Sequence, residues 1–196
     1  LGIEITMTWL AIIGTILLLI TFLTTKERIV PDPEEKTSLI DDLKDLIKNI
    51  PWVIMLTVTI LQFTTLAMKG GAYVYYFENY VSKNSLSDFI SPILDFLSSI
   101  GINFFGNDAV SAGFGLFNAG GIIFMIIGIG LSKILADKYG KRNVFGVFLF
   151  ISTLFIIAFY FLSKDSINLI FGAQILHGFF YGITIPLLWA MIADVA

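Results

Sequence analysis

Residues 5–23, 50–68, 109–131 and 144–162 contain no Asp, Glu, Lys or Arg. Each run approaches or exceeds the roughly 20 helical residues needed to cross a bilayer core of about 30 Å. A fifth run, 167–193, carries a single histidine, His177, and a proline, Pro186, which membrane helices tolerate better than soluble ones. Charged residues are 14% of the chain and hydrophobic ones 57%, against about 25% charged in a soluble domain. The expected fold class is therefore all-α, a polytopic transmembrane helix bundle of five spans. No basic region precedes the first run and no small-residue cleavage site follows it, so it reads as a span and not as a signal peptide. With no initiator Met and an end at Asp194-Val195-Ala196, both termini are expected to be cuts through a longer protein, the rest of which would be this segment's partner. The lack of cysteine removes disulfides and thiolate metal sites, and a net charge of -3 gives no case for nucleic acid.

Basic residues accumulate on the cytoplasmic side of membrane proteins. Lys26, Arg28, Lys36, Lys44 and Lys48 lie between the first two runs, and Lys133, Lys138, Lys141 and Arg142 between the third and fourth. The other two connections hold Lys83 and Lys164. This alternation puts residue 1 outside and residue 196 in the cytoplasm.

The first cytoplasmic connection opens with Pro31-Asp32-Pro33-Glu34-Glu35, which cannot be helical throughout, and then sets Leu39, Ile40, Leu43, Leu46 and Ile47 opposite Asp41, Asp42, Asp45 and Lys48. That spacing predicts an amphipathic surface helix. The external segment 82–108 repeats the pattern with Phe89, Ile90, Ile93, Leu94, Leu97 and Ile100, too short and too polar to span. The fourth run is apolar on every face and is expected against lipid. The third places Gly113, Gly120, Gly121 and Gly128 at near-heptad spacing, which allows close backbone approach, with Asn118 facing protein. The first run is also apolar all round, and lipid-facing helices three apart, with polar or glycine-rich ones between, suggest three-helix repeats, a plan common in transporters.

The second run bears the polar residues of interest. Gln62, Thr65, Lys69, Tyr73, Tyr76 and Tyr80 recur at steps of three or four and share one helix face. Gly70-Gly71 after Lys69 is expected to permit a bend or local unwinding where backbone lines a cavity. Lys69 either faces such a cavity or snorkels to the interface among an aromatic belt. In the fifth run Gly178, Gly182 and Trp189 share a face, with Gln174 near it. Trp189 could pack on a sugar's apolar C–H face or anchor the interface. His177 lies off that face and reads as a packed, satisfied histidine. Asp194 is expected at the inner boundary, salt-bridged to a loop base. With one histidine and no HExxH, GxSxG or P-loop, no enzyme site can be assembled.

Two kinds of motif add a resemblance. The loop Lys133-Ile134-Leu135-Ala136-Asp137-Lys138-Tyr139-Gly140-Lys141-Arg142 resembles the cytoplasmic motif Asp-Arg-x-Gly-Arg-Arg of the major facilitator superfamily. Gly71-Ala72-Tyr73-Val74-Tyr75-Tyr76-Phe77, with Tyr80-Val81, and Pro186-Leu187-Leu188-Trp189-Ala190-Met191-Ile192-Ala193-Asp194-Val195 resemble the glycoside–pentoside–hexuronide cation symporters, the melibiose permease-like family. The resemblance implies the partial major-facilitator fold: 1–24 as the last helix of the amino-terminal bundle, 25–50 as the central cytoplasmic loop, and 51–196 as the first four helices of the carboxy-terminal bundle. Those four helices would be 51–81, 109–131, 144–162 and 167–196, with 82–108 as an external loop. It also implies symport of a sugar or glycoside by alternating access in a bacterial inner membrane, with no cofactor. By motif, Trp189 corresponds to the family's tryptophan beside the sugar, and the helix-face spacing above adds Lys69, Tyr73, Tyr76, Gln62 and Gln174 as the other expected substrate contacts. Asp137, Lys138, Gly140, Lys141, Arg142 and Asp194 would form a cytoplasmic gating network. The coupling cation, Na+ or H+, would bind outside this segment. A hexuronate or organic acid paired with Lys69, or a non-transporting membrane scaffold or sensor, are the alternatives.

Overall fold

In a bilayer core every backbone N–H and C=O must find its partner within the protein, which a helix achieves residue by residue. The computed structural model describes residues 2–26, 39–102 and 108–195, and these residues form helices without a strand. They are α1 (Gly2–Thr24), α2 (Leu39–Lys48), α3 (Ile50–Asn79), α4 (Lys83–Ser99), α5 (Ala109–Tyr139), α6 (Lys141–Ala158), which a 3₁₀ turn extends through Phe159–Phe161, and α7 (Ile167–Val195). Among the described residues five helices, α1, α3, α5, α6 with its turn, and α7, are long and apolar enough to cross a membrane. The Pro31–Glu35 run, Arg28, Lys36 and residues 103–107 of the expected external loop lie outside the described residues.

The chain divides into two units at residues 43 and 44. In the first, α1 satisfies Thr8, Thr15, Thr21 and Thr24 internally, each donating to a carbonyl one turn back, so those hydroxyls need no water.

In the second unit the connections alternate helix direction, which leaves α5 and α7 parallel and packs α3 and α6 antiparallel to α7. Glycine sets how closely α5 and α7 approach. A Cβ on Gly178 would strike the Gly121 carbonyl oxygen, one on Gly182 the Met125 carbonyl oxygen, and one on Gly128 the Phe179 carbonyl oxygen. Small residues of this kind permit the backbone-level packing that holds membrane helices together where no hydrophobic drive exists. The short helix α4 docks by a knob: Leu86, fully buried, sits over Gly113, where a Cβ would lie 2.8 Å from the leucine methyls.

Two apolar layers result. Near α4, Tyr73, Phe77, Leu86, Ile90, Phe117, Phe159 and Phe171 cluster; toward the other end, Val144, Phe145, Ile183, Leu187 and Leu188 do so. Between them along α6 and α7 lie the buried polar residues Ser152, Gln174 and His177.

Two expectations change. Helix α3 runs unbroken through Gly70 and Gly71, because its hydrogen-bonded ladder continues and neither glycine is approached by a neighbour: an added Cβ would meet nothing within 4 Å at either position. Helix α6 does not present every face outward. Its Phe150 is exposed, whereas Val144, Phe145 and Ser152 are buried, and Phe148 and Phe155 stack on Phe180 of α7. Apolarity all round cannot distinguish lipid from a protein neighbour.

At the start of α3 one residue does two jobs. Asn49 accepts from the Trp52 N–H at 3.2 Å as N-cap and donates its amide to the Val195 carbonyl at the end of α7 at 2.7 Å. Asn49→Ala loses both and is expected to cost about 1–2 kcal/mol, read as a lower thermal midpoint in detergent. An unchanged midpoint would show that neither bond contributes.

Candidate functional site: a cavity at the polar layer

Because α3 meets α7 through side chains and not through backbone, space remains between them. One cavity of about 520 Å³ is lined by Gln62, Phe63, Lys69, Tyr73, Asn118, Gln174, His177, Tyr181 and Trp189 among others. A second, of about 250 Å³, opens between α3, α6 and α7 and shares Gln62, Leu66, Lys69, His177 and Tyr181 with the first. The larger alone falls within the size range of small-ligand sites, about 300–1,000 Å³.

Lys69 is the charged side chain of both linings. Its ammonium lies 2.7 Å from His177 Nε2 and over the rings of Tyr73 and Tyr181, at 5.5 and 5.8 Å from their centroids. The His177 ring stacks on Tyr181, and its Nδ1 lies 3.0 Å from the Ser152 carbonyl oxygen. A carbonyl only accepts, so Nδ1 carries the hydrogen and Nε2 offers its lone pair to Lys69. The histidine is thus neutral. It holds the lysine inside the bundle instead of letting it snorkel, although a cation at membrane depth costs about 2.5–3.5 kcal/mol on insertion scales.

Several cavity groups lack partners. The side-chain oxygens of Gln62, Tyr73 and Gln174 are buried and have no hydrogen-bond partner among the described residues. Leaving such an atom unsatisfied costs about 1–3 kcal/mol, so three together suit a polar ligand. Gln174 is wedged against Gly121, where a Cβ would come within 2.6 Å of its amide nitrogen. Asn118 returns its own amide to the Phe114 carbonyl at 3.0 Å. Trp189 is 55% exposed and meets Phe63 with ring centroids 6.3 Å apart, leaving much of its ring free.

Of the residues singled out by sequence, Gln62, Lys69, Tyr73, Gln174 and Trp189 come together here. Tyr76 does not line the cavity. The Tyr73 ring packs on Phe117 and Phe159, at 5.0 and 5.2 Å, and closes the cavity one turn earlier, so the Tyr76 ring meets Phe77, Tyr80 and Phe159 beyond that layer. His177, read as a packed histidine, and Tyr181, not singled out, both line the cavity. His177 and Tyr181 stack one turn apart on α7, but the Lys69 contacts that draw both rings to the cavity come from α3, far away in sequence, which spacing along one helix cannot show.

The loop residues form a separate group. Gly140 turns the chain between α5 and α6 with φ 83°, a conformation that favours glycine. Lys141 pairs with Asp194 at 2.6 Å, both half-exposed, and Lys138 lies over the Tyr139 ring. Asp137 lies in the last turn of α5 and Arg142 in the first turn of α6, on either side of Gly140. The described residues hold no cluster of His, Cys, Asp and Glu able to bind a metal ion.

A bundle of membrane-length helices with a cavity between α3 and α7 defines a multi-pass membrane protein. The family described as MFS/sugar transport protein matches residues 2–107 and 95–196. The chain belongs to that family of the major facilitator superfamily, the transporters that include the glycoside–pentoside–hexuronide symporters. It is 25% identical over 186 residues, 95% of its length, to the Escherichia coli (strain K12) protein named "Putative glycoside/cation symporter YagG". It is also 37% identical over 67 residues, 34% of its length, to the "Inner membrane symporter YicJ" of the same organism. The chain spans 35% of the first relative and 14% of the second. No solved structure matches it.

Proposed function

We propose that the intact protein is a secondary active transporter that carries a sugar or glycoside together with a cation, Na+ or H+, by alternating access. The observation that carries this reading is the cavity itself: a half-free tryptophan ring on one wall and three unpaired, buried side-chain oxygens on the others. A sugar offers both an apolar C–H face for the ring and hydroxyls for the oxygens. The names of the two relatives support the same class.

In this reading α3 to α7 belong to the carboxy-terminal bundle, α1 ends the amino-terminal one, and the remainder of the protein supplies the opposite wall and the cation site. The Lys141–Asp194 end faces the cytoplasm of a bacterial inner membrane, in agreement with the distribution of basic residues. The pair there links α6 to α7 and would release as the bundles rock.

Uptake of radiolabelled glycosides into cells making the intact protein, with and without added sodium and across a proton gradient, tests this. Trp189→Ala is expected to lower uptake at least about tenfold with normal amounts of protein in the membrane, since it removes a ring that binds substrate. If no sugar enters under any gradient, the family membership describes the fold of this protein and the scaffold or sensor reading replaces transport.

A further inference from the structure

We propose that α4 is a fixed outer clamp, which binds the outer ends of α3, α5 and α7 and the turn after α6 into one block that stays closed while the cavity changes sides. This rests on the orientation given above: with the Lys141–Asp194 end in the cytoplasm, residues 80–102 and 159–166 lie on the outer side.

α4 is too short to span a membrane, yet its inner face is deeply buried. Leu86 and Ile90, one turn apart, are 0% and 2% exposed. Leu86 fills the hollow over Gly113 of α5, and the Phe89 ring lies 4.9 Å from that of Phe171 on α7. The corner between α3 and α4 is tied down separately. The Tyr80 hydroxyl donates to the Leu162 carbonyl at 2.9 Å, the Ser82 N–H to the Lys164 carbonyl at 3.0 Å, and the Ser85 hydroxyl to the Asp165 carboxylate at 3.0 Å. These ties bring residues 162–165, after α6, into the same unit.

Lids that open on each turnover come from the weakly packed parts of a fold, with few buried apolar contacts. α4 has the opposite character. Lifting it would uncover Leu86 and Ile90, empty the hollow at Gly113 and strain the ties at Ser82 and Ser85 together. Its packing also runs on into the aromatic layer of Tyr73, Phe117 and Phe159 that ends the cavity. The outer end of this block therefore gives no path to the cavity, and a ligand from outside enters from the side of the bundle. Any adjustment of α3 against α7 is confined to the part of α3 before Tyr73.

Thiol labelling tests the clamp without reference to transport. The intact protein, stripped of any other cysteine, carries Leu86→Cys or Ile90→Cys on the buried face of α4, or Ser91→Cys on the exposed one, and cells making it are treated with a membrane-impermeant maleimide. Both buried positions are expected to react at least about tenfold more slowly than Ser91→Cys, whether or not nitrophenyl glucoside, sodium or a proton gradient is supplied. Ser85→Cys with Asp165→Cys, joined by a short bifunctional thiol reagent, is expected to keep glycoside uptake within about twofold of the same pair left unjoined. Fast labelling of both buried positions, or loss of uptake on joining the pair, makes α4 a moving lid and overturns the clamp while sugar transport stands. If Ser91→Cys stays unlabelled until the cells are permeabilised, α4 lies inside and the outer clamp falls with the orientation. If no glycoside enters under any gradient, the transport reading falls and the labelling rates alone decide the clamp.

Discussion

Valine at Gly178 or Gly182 is expected to leave little folded protein. In each case the new Cβ would occupy the place of a backbone carbonyl oxygen, that of Gly121 or of Met125. A side chain in the way can rotate, but a carbonyl inside a helix cannot, so the helices α5 and α7 must separate. Overpacking typically costs 1–3 kcal/mol, and the backbone obstacle places this pair at about 3 kcal/mol or more. Separation also forfeits van der Waals contact that a lipid environment does not replace by any hydrophobic gain. Gly172 supplies the control. It lies on the same helix, an added Cβ there meets nothing within 4 Å, and alanine favours the helix by about 0.5–1 kcal/mol over glycine. Thermal denaturation in detergent should therefore show Gly172→Ala at or above the parent and Gly178→Val and Gly182→Val far below it. Equal midpoints for all three would mean that the close approach of α5 and α7 does not hold the bundle together.

Phe117→Ala is expected to be the most damaging truncation. The ring is 1% exposed and meets Tyr73, Phe77, Phe114, Phe159 and Phe171, with centroids 4.8 to 6.5 Å apart. It therefore joins α3, α5, the turn after α6 and α7 in one layer. Phe→Ala in a packed core costs about 3–5 kcal/mol. Because five rings surround the void and none can rotate into it without leaving another, the upper half of that range is expected. Phe117→Leu should recover much of the loss, as it keeps most of the volume. Should Phe117→Ala melt within a degree or two of the parent, the layer is looser than its geometry implies.

The charge-free runs made the spanning helices legible, because a bilayer permits few alternatives to a helix of that length and composition. Glycine spacing in the third run likewise pointed to close packing, and Gly121 and Gly128 do meet α7 at backbone level. What spacing could not show was which face meets which neighbour. The stripe on α4 was read from Phe89 onward, yet its deepest knob is Leu86, identified only by the hollow at Gly113. Gly70-Gly71 suggested a break, but glycine permits unwinding without requiring it, and the ladder of α3 continues. For the cavity, Gln62, Lys69 and Tyr73 were visible as one face of one helix. His177 was not, because its partners stand on α3 and α6, and its off-face position on α7 is what turns it toward both. Tyr76 was assigned to the site on angle alone, whereas the Tyr73–Phe117–Phe159 layer ends the cavity before it.

The glycine contacts between α5 and α7 have a bearing on motion. Two helices locked carbonyl to Cα cannot slide past one another by a rotamer change, so they behave as a single strut. By contrast, α6 and α3 meet α7 through side chains: α6 through stacked phenylalanines, and α3 through Asn49, Lys69 and the rings of Phe63 and Phe77 on either side of the cavity. Any rearrangement within this unit would therefore carry α5 and α7 as one piece, while α3 and α6, held by side chains alone, could adjust against it by rotamer changes.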